Sequence, residues 1–327
     1  MAEADLTLPG NPAPRSMPPR GLLPTRRNDT LFQVVCFSAA MVLMAALFGL
    51  ILSLAWGGWP AFERFGIGFL FSSEWNPVTD EYGAAGPIVG TLVTAFLSLL
   101  LALPLAVGVA IFLVEFCPQR IAHWLAIAVE LLAGIPSIVY GMWGLFVLAP
   151  WFADHIQLPL LMSVEPGSWL DTLFSGVPNG ANIFTASLIL AIMILPYMAT
   201  VFRELLISVP PQMREAAYGI GCTSFEVVGS IMLPYIRRSA VGAVMLGLGR
   251  ALGETMAVTF IIGNSHGFPK SLFASGSTIA STIANEFTEA TGDLHIAALI
   301  ALGFVLFLIT FASIAGARLL LGAERYR

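Results

Sequence analysis

Lysine occurs once in this 327-residue chain, at Lys270, and the residue before it is Pro269. A phosphate-cradling P-loop needs Gly-Lys followed by Ser or Thr, so this chain supplies no ATPase of that kind. Charge of either sign is scarce: 11% of residues are Asp, Glu, Lys or Arg, where a soluble domain carries about 25%. That excludes an ordinary soluble domain. The formal net charge of −5 comes without any basic block, so no nucleic-acid partner is expected. The three cysteines, Cys36, Cys117 and Cys222, leave no extracytoplasmic pair, and no disulfide framework is expected. His123, His155, His266 and His295 are scattered without metal-ligand spacing. No metal site and no cofactor of its own are expected.

What is present is apolar: 57% of residues are hydrophobic and the mean hydropathy is +0.85. Apolar runs of at least about 18–20 residues mark membrane-spanning helices. Six occur, at about 31–56, 87–114, 121–149, 183–202, 240–262 and 294–320. The expected fold class is therefore all-α, a polytopic protein of six transmembrane helices embedded in membrane lipid. Residues 1–30, rich in Pro, Arg and Gly without an apolar centre, are expected to form a disordered cytoplasmic tail and not a cleaved signal. Residues 31–327 are expected to form the transmembrane domain. Twelve arginines fall in the tail, the Glu115–Arg120 turn, the 203–239 loop and the C-terminal end; only Arg64 and Lys270 fall in the opposite loops. The positive-inside rule then puts both termini in the cytoplasm. Trp56, Trp59, Trp75, Trp151 and Trp169 lie in or beside the outer loops, as an aromatic belt would.

Pro104, Pro136 and Pro196 interrupt the second, third and fourth spans. Each removes a backbone donor, which is tolerated where neighbouring helices or a wet cavity satisfy the freed carbonyls. In the run Gly134–Gly141, such a proline sits with Ser137 and Tyr140, giving either a bent, polar-faced pore helix or an ordinary kinked packing helix. Glu130, about nine residues or about 14 Å into the third span at 1.5 Å per residue, is either a second polar pore residue or an interface pair.

Two stretches carry the chemistry. In the cytoplasmic loop 203–239, Glu215-Ala216-Ala217 is followed by Gly221, Ile231 and Leu233-Pro234. This matches the EAA---G---------I-LP signature of ABC importer permeases at every defined position. The pattern predicts two short helices about a glycine turn, with Ala216 and Ala217 small enough for close approach and Gly221 giving backbone freedom. The fifth span, read as one helix over about 240–262, holds Arg250 and Glu254 four residues apart, hence on one face. A charge there costs on the order of 3 kcal/mol, so both must face a cavity or a partner. They form either an anion site or a structural ion pair. Gly249 and Gly253 beside them make a GxxxG pair that admits another helix. Separately, Gly263–Gly267 fits the G-x-S-x-G pattern of a hydrolase elbow, although that motif needs a strand-to-helix turn; it supports an intramembrane hydrolase as the alternative class.

The runs Gly247–Asn264, Thr278–Gly303 and Gly134–Phe146 resemble the phosphate-specific ABC importer permease family of the PstC type, over about residues 30–320. The resemblance implies a type I ABC importer permease fold and a non-catalytic transport subunit in the cytoplasmic membrane. Its partners would be a PstA-type permease, two PstB-type ATPase subunits using ATP and Mg, and a PstS-type phosphate-binding protein outside. It implies that Arg250 and Glu254 are translocation charges and that Glu215, Ala216, Ala217 and Gly221 couple to the ATPase. Physical reading alone reaches an oxyanion importer, and sulfate and molybdate share the tetrahedral shape of inorganic phosphate.

Overall fold

A computed structural model describes residues 26–165 and 167–323. Of the expected tail, residues 1–25 lie outside these, while 26–30 are already helical. Six helical segments are long and apolar enough to cross a membrane: Asp29–Phe65, Ala85–Phe116, Ser137–Ser163, Ile183–Ile207, Ser224–Leu252 and Asp293–Leu319. The all-α polytopic class and the number of spans follow from the sequence as expected; several boundaries do not.

The elements run as follows. Helix α1 is Arg26–Phe65, a 40-residue helix that outlasts its apolar run at both ends. Short α2 (Gly68–Phe71) leads to a two-stranded antiparallel ribbon, β1 (Trp75–Asn76) with β2 (Glu81–Tyr82), not anticipated from sequence. Helix α3 (Ala85–Ile111) ends in a π turn, Phe112–Phe116. Next come α4 (Gln119–Ala133) and the interrupted span α5 (Ser137–Trp143), α6 (Ala149–Phe152) and α7 (Leu158–Ser163), joined by π turns. Helix α8 (Trp169–Phe174) precedes the long α9 (Ile183–Ile207). The 203–239 loop holds α10 (Pro211–Gly219) and α11 (Ser224–Val227), and a π turn feeds α12 (Leu233–Leu252). Helices α13 (Met256–Ile261), α14 (Ile279–Glu286) and α15 (Asp293–Ala323) complete the chain.

Two expectations need correction. The third span is Ser137–Ser163, not 121–149. Pro136 offers no N–H and holds Ile135 off the helical region, so α4 stops at Ala133 and a new helix starts at Ser137. The span then continues through Trp151 to Ser163, which had been read as outer loop. The fifth span is not one helix either: it breaks at Gly253–Thr255 between α12 and α13.

The chain divides into two compact units at Leu52/Ser53. The described part of the first is the N-terminal portion of α1, polar over 26–30 and mostly apolar beyond. In the second, α9 is the hub, the most buried of the spans. Its main neighbour is α3, which presents Ala95, Ala102, Ala106 and Ala110, all essentially buried. Small residues let two backbones approach closely where apolar solvent gives no hydrophobic drive. Gly247 on α12 serves the same end, since a Cβ there would lie 2.8 Å from Met198 Sδ. A second core joins Ala61, Phe69, Tyr82 and Ile279 to Ala298, Ala301 and Leu302 of α15.

Candidate functional site

Arg250 lies in the last turn of α12, just before the helix break, and Glu254 lies within the break. Gly249 and Gly253 are poor helix formers, and a carboxylate at 254 can cap a new helix. It does: Glu254 Oε1 accepts the Ala257 N–H at 3.2 Å, at the start of α13, where a negative charge is also favoured by the helix dipole. Of the two alternatives, the structural ion pair does not form, because the break removes the one-face geometry. Among the described residues no carboxylate lies within ion-pair distance of Arg250. Its guanidinium instead lies 5.3 Å from the centre of the half-buried Tyr197 ring on α9, a cation–π contact. Nor do Gly249 and Gly253 seat a helix of this chain: nothing lies within 4 Å of a Cβ at Gly249, and only the Gly249 carbonyl, 3.5 Å away, meets one at Gly253. That face is open.

The broken third span comes to the same place. A Cβ at Gly141 on α5 would stand 2.9 Å from Ala257 Cα, so α5 and α13 pack backbone to backbone. Tyr140 is half-buried and its OH donates to the Leu132 carbonyl at 3.0 Å. That bond satisfies one of the carbonyls left open where α4 ends. Ser137, also half-buried, begins α5. Glu130 belongs to α4 and is exposed, outside the third span altogether. The structure thus brings together Arg250, Glu254 and Tyr140 near two unwound segments, and leaves Glu130 apart. Non-helical backbone at this depth is tolerated where protein or a wet cavity covers it.

In the loop, α10 and α11 flank a turn in which Gly221 has φ +94, a region costly for any residue with a Cβ. Thr223 and Glu226 form a reciprocal capping box at α11. Glu215 and Ala216 are exposed, but Ala217 is 2% exposed and packs into the permease's own core with Leu206, Val227 and Met232. Its small size therefore serves internal packing and not an external groove.

Two carboxylates escaped the sequence reading. Glu115, in the π turn after α3, is 4% exposed; it accepts from Arg214 Nη2 at 2.5 Å and from the Tyr218 hydroxyl. Glu286 accepts from His266 Nε2 and His295 Nε2, each at 2.8 Å, and from Trp75 Nε1 at 2.6 Å. Trp75 stacks on His266 and Tyr82 on His295. Burial pushes the Glu286 carboxyl up, but the hydrogen bonds from His266, His295 and Trp75 outweigh it and hold the group below the usual carboxylate range. These partners lie far apart in sequence with no local period, so only a search for lone carboxylates in apolar stretches could have flagged them.

The G-x-S-x-G run forms a loop after α13: Gly263 and Asn264 have positive φ, Ser265 N–H donates to the Gly276 carbonyl at 3.0 Å, and His266 is engaged by Glu286. It lacks the strand-to-helix turn that an elbow requires, so the hydrolase alternative falls.

Residues 82–322 match the family described as the binding-protein-dependent transport system inner membrane component. The chain is 50% identical over 295 residues to the phosphate transport system permease protein PstC of Mesorhizobium japonicum, covering 90% of each chain. It is 50% identical over 282 residues to the protein of the same name from Haemophilus influenzae, covering 86% of this chain and 89% of that one. Among solved structures, a bacterial alginate ABC transporter in complex with an alginate-bound periplasmic protein has a chain superposing with a TM-score of 0.58 at 15% identity, over 89% of this chain and 93% of that one. That last likeness concerns the fold. The chain belongs to the family of binding-protein-dependent transport system inner membrane components, within its PstC group.

Proposed function

We propose that this chain is the permease subunit of an ATP-driven importer that carries inorganic phosphate across the cytoplasmic (inner) membrane, with both termini inside. It forms half of the pathway beside a PstA-type permease. Two PstB-type ATPase subunits, using ATP and Mg, dock at the Glu215–Gly221 turn, and a PstS-type protein delivers phosphate from outside. The relatives' names and the family support the system; Arg250 carries the chemistry.

An anion of one to two charges cannot enter an apolar core unaided, since desolvation costs many kcal/mol. A guanidinium offers a planar fork of donors that fits an oxyanion. Arg250 is half-buried within a span without a carboxylate to neutralise it among the described residues, and it lies about 25 Å along α12 at 1.5 Å per residue. Tyr197 braces it through its ring face, and among the described residues no carboxylate takes up its donors. Glu254 does not orient Arg250; it fixes the break that sets where α12 ends. The open Gly249–Gly253 face leaves room for the second permease or for the ion.

Arg250→Gln keeps hydrogen-bonding capacity and removes charge. With the assembled complex in liposomes, phosphate uptake should fall about 10–100-fold, the range for losing a hydrogen bond to a charged group, while the subunits still co-purify. Arg250→Lys, which keeps charge but not the fork, should fall between. Parental uptake in Arg250→Gln would end the anion-path reading. Preferential uptake of sulfate or molybdate by the parent complex would transfer the assignment to another tetrahedral oxyanion.

A further inference from the structure

We propose that Glu115 is the positioning residue that locks the coupling helix α10 to α3, making α3 a strut between the ATPase dock and the outer mouth of the pathway. This rests on the Glu215–Gly221 turn being that dock.

Helix α3 with its terminal π turn stays helical over the 32 residues Ala85–Phe116, so Pro104 lies inside it without ending it. At 1.5 Å per residue it is about 48 Å long, against about 30 Å of hydrocarbon, so it reaches beyond both faces of the membrane. At its cytoplasmic end, Glu115 receives Arg214 and Tyr218, which are one helical turn apart on α10. Both therefore project from one face of α10, and one buried carboxylate holds that face at two points. Among the described residues no other hydrogen bond ties α10 to α3 or its terminal turn. Arg214 Nε is buried without a partner, so the guanidinium's placement depends on Glu115 alone. A buried charge losing its partner costs far more than an exposed one.

The other end of α3 is locked as tightly. Thr91 Oγ1 accepts the Ile279 N–H at 2.9 Å, at the start of α14. A Cβ at Gly90 would fall 2.0 Å from the Ser277 carbonyl oxygen, and one at Gly86 would fall 2.3 Å from that of His266. The loop joining α13 to α14 thus rests directly on the outer end of α3. Between the ends, the alanine face of α3 packs into the core built around α9. A displacement of α10 is handed through Glu115 to a rigid rod whose far end carries the loop beyond the Arg250 break. Small shifts are amplified when the intervening elements are close-packed and cannot deform.

The test uses the full complex in liposomes and reads the ratio of ATP hydrolysis with loaded binding protein to that without it, per ATPase bound. Glu115→Ala, and more weakly Glu115→Gln and Tyr218→Phe, should keep the ATPase attached and lower that ratio about fivefold or more, the scale of long-range coupling effects. Thr91→Val, at the opposite end, should give the same loss. A merely local role for Glu115 would instead release the ATPase and leave the ratio per bound ATPase unchanged. That result, or a parental ratio in Glu115→Ala, would overturn the proposal. If Glu115→Ala fails to insert, Glu115→Gln with Thr91→Val decides on the same ratio. Glu215→Lys serves as the separate control. Should it retain the ATPase, the docking reading itself fails; should it lose the ATPase while the Glu115 variants stay fully stimulated, only the strut fails.

Discussion

Glu286 shows how one residue can hold together parts of the chain that share no sequence neighbourhood. Its carboxylate accepts from Trp75, His266 and His295, joining the β ribbon, the loop after α13 and α15. Its pKa lies below the ordinary carboxylate value because these donors overcome the upward push of burial. A depressed folded value means the ionised group stabilises this corner above the unfolded pKa, and that stabilisation is lost as pH falls through the folded value. The facing groups include Asp80, Tyr82 and Glu289, which line a polar cavity of about 440 Å³ beside it. The Ser265 and Gly276 amides, bonded to the Gly276 and Ile262 carbonyls, should therefore stay protected from hydrogen exchange at neutral pH. Below the carboxylate range they should open once intrinsic rates are corrected. In Glu286→Gln they should already be less protected at neutral pH, by about 1–3 kcal/mol, the cost of leaving buried partners unsatisfied. Full protection in that variant would show that the three donors do not depend on the charge.

Among the elements, the helix breaks carry most of the difference between what the sequence tells and what the chain does. The break after Ala133 was half legible, because Pro136 was visible, yet the apolar run on either side is continuous in hydropathy and its end near Ala149 looked like a span's end. The break at Gly253 has no proline and was not legible. It depends on Glu254 turning back to cap α13, and on Gly141 letting α5 press against Ala257. Arg250 was legible as a costly charge, but its partner was assigned by an i,i+4 rule that holds only within one helix. The glycine turn between α10 and α11 was the most legible, since its φ of +94 at Gly221 is a local demand that glycine answers. Gly221→Val should strain this turn by about 1–3 kcal/mol and misplace α10 against α11. Co-purification of the ATPase should drop while the permease still inserts. An unchanged yield of bound ATPase would mean the turn adapts and plays no part in docking.

At the scale of the whole molecule, the six spans were legible because a membrane demands long apolar runs, and no tertiary contact can waive that demand. Orientation rests on a different property, the arginine bias between the two sides. Moving the third span to Ser137–Ser163 leaves Arg120 on the same side as before, lengthens the segment that carries it by α4 and shortens the outer loop, so the bias survives the correction. Exposed Glu289, in the loop after α14, and Asp171, on α8, should then face outside, while Cys222 beside the coupling turn should face the cytoplasm. In intact cells, Asp171→Cys and Glu289→Cys should react with a membrane-impermeant maleimide in a background where Cys36 and Cys117 are replaced by Ser. Cys222 should react only after the membrane is permeabilised, and more slowly, because it is half-buried and packs against the core. Labelling of Cys222 from outside would invert the orientation, and with it the side on which ATP could meet the Glu215–Gly221 turn.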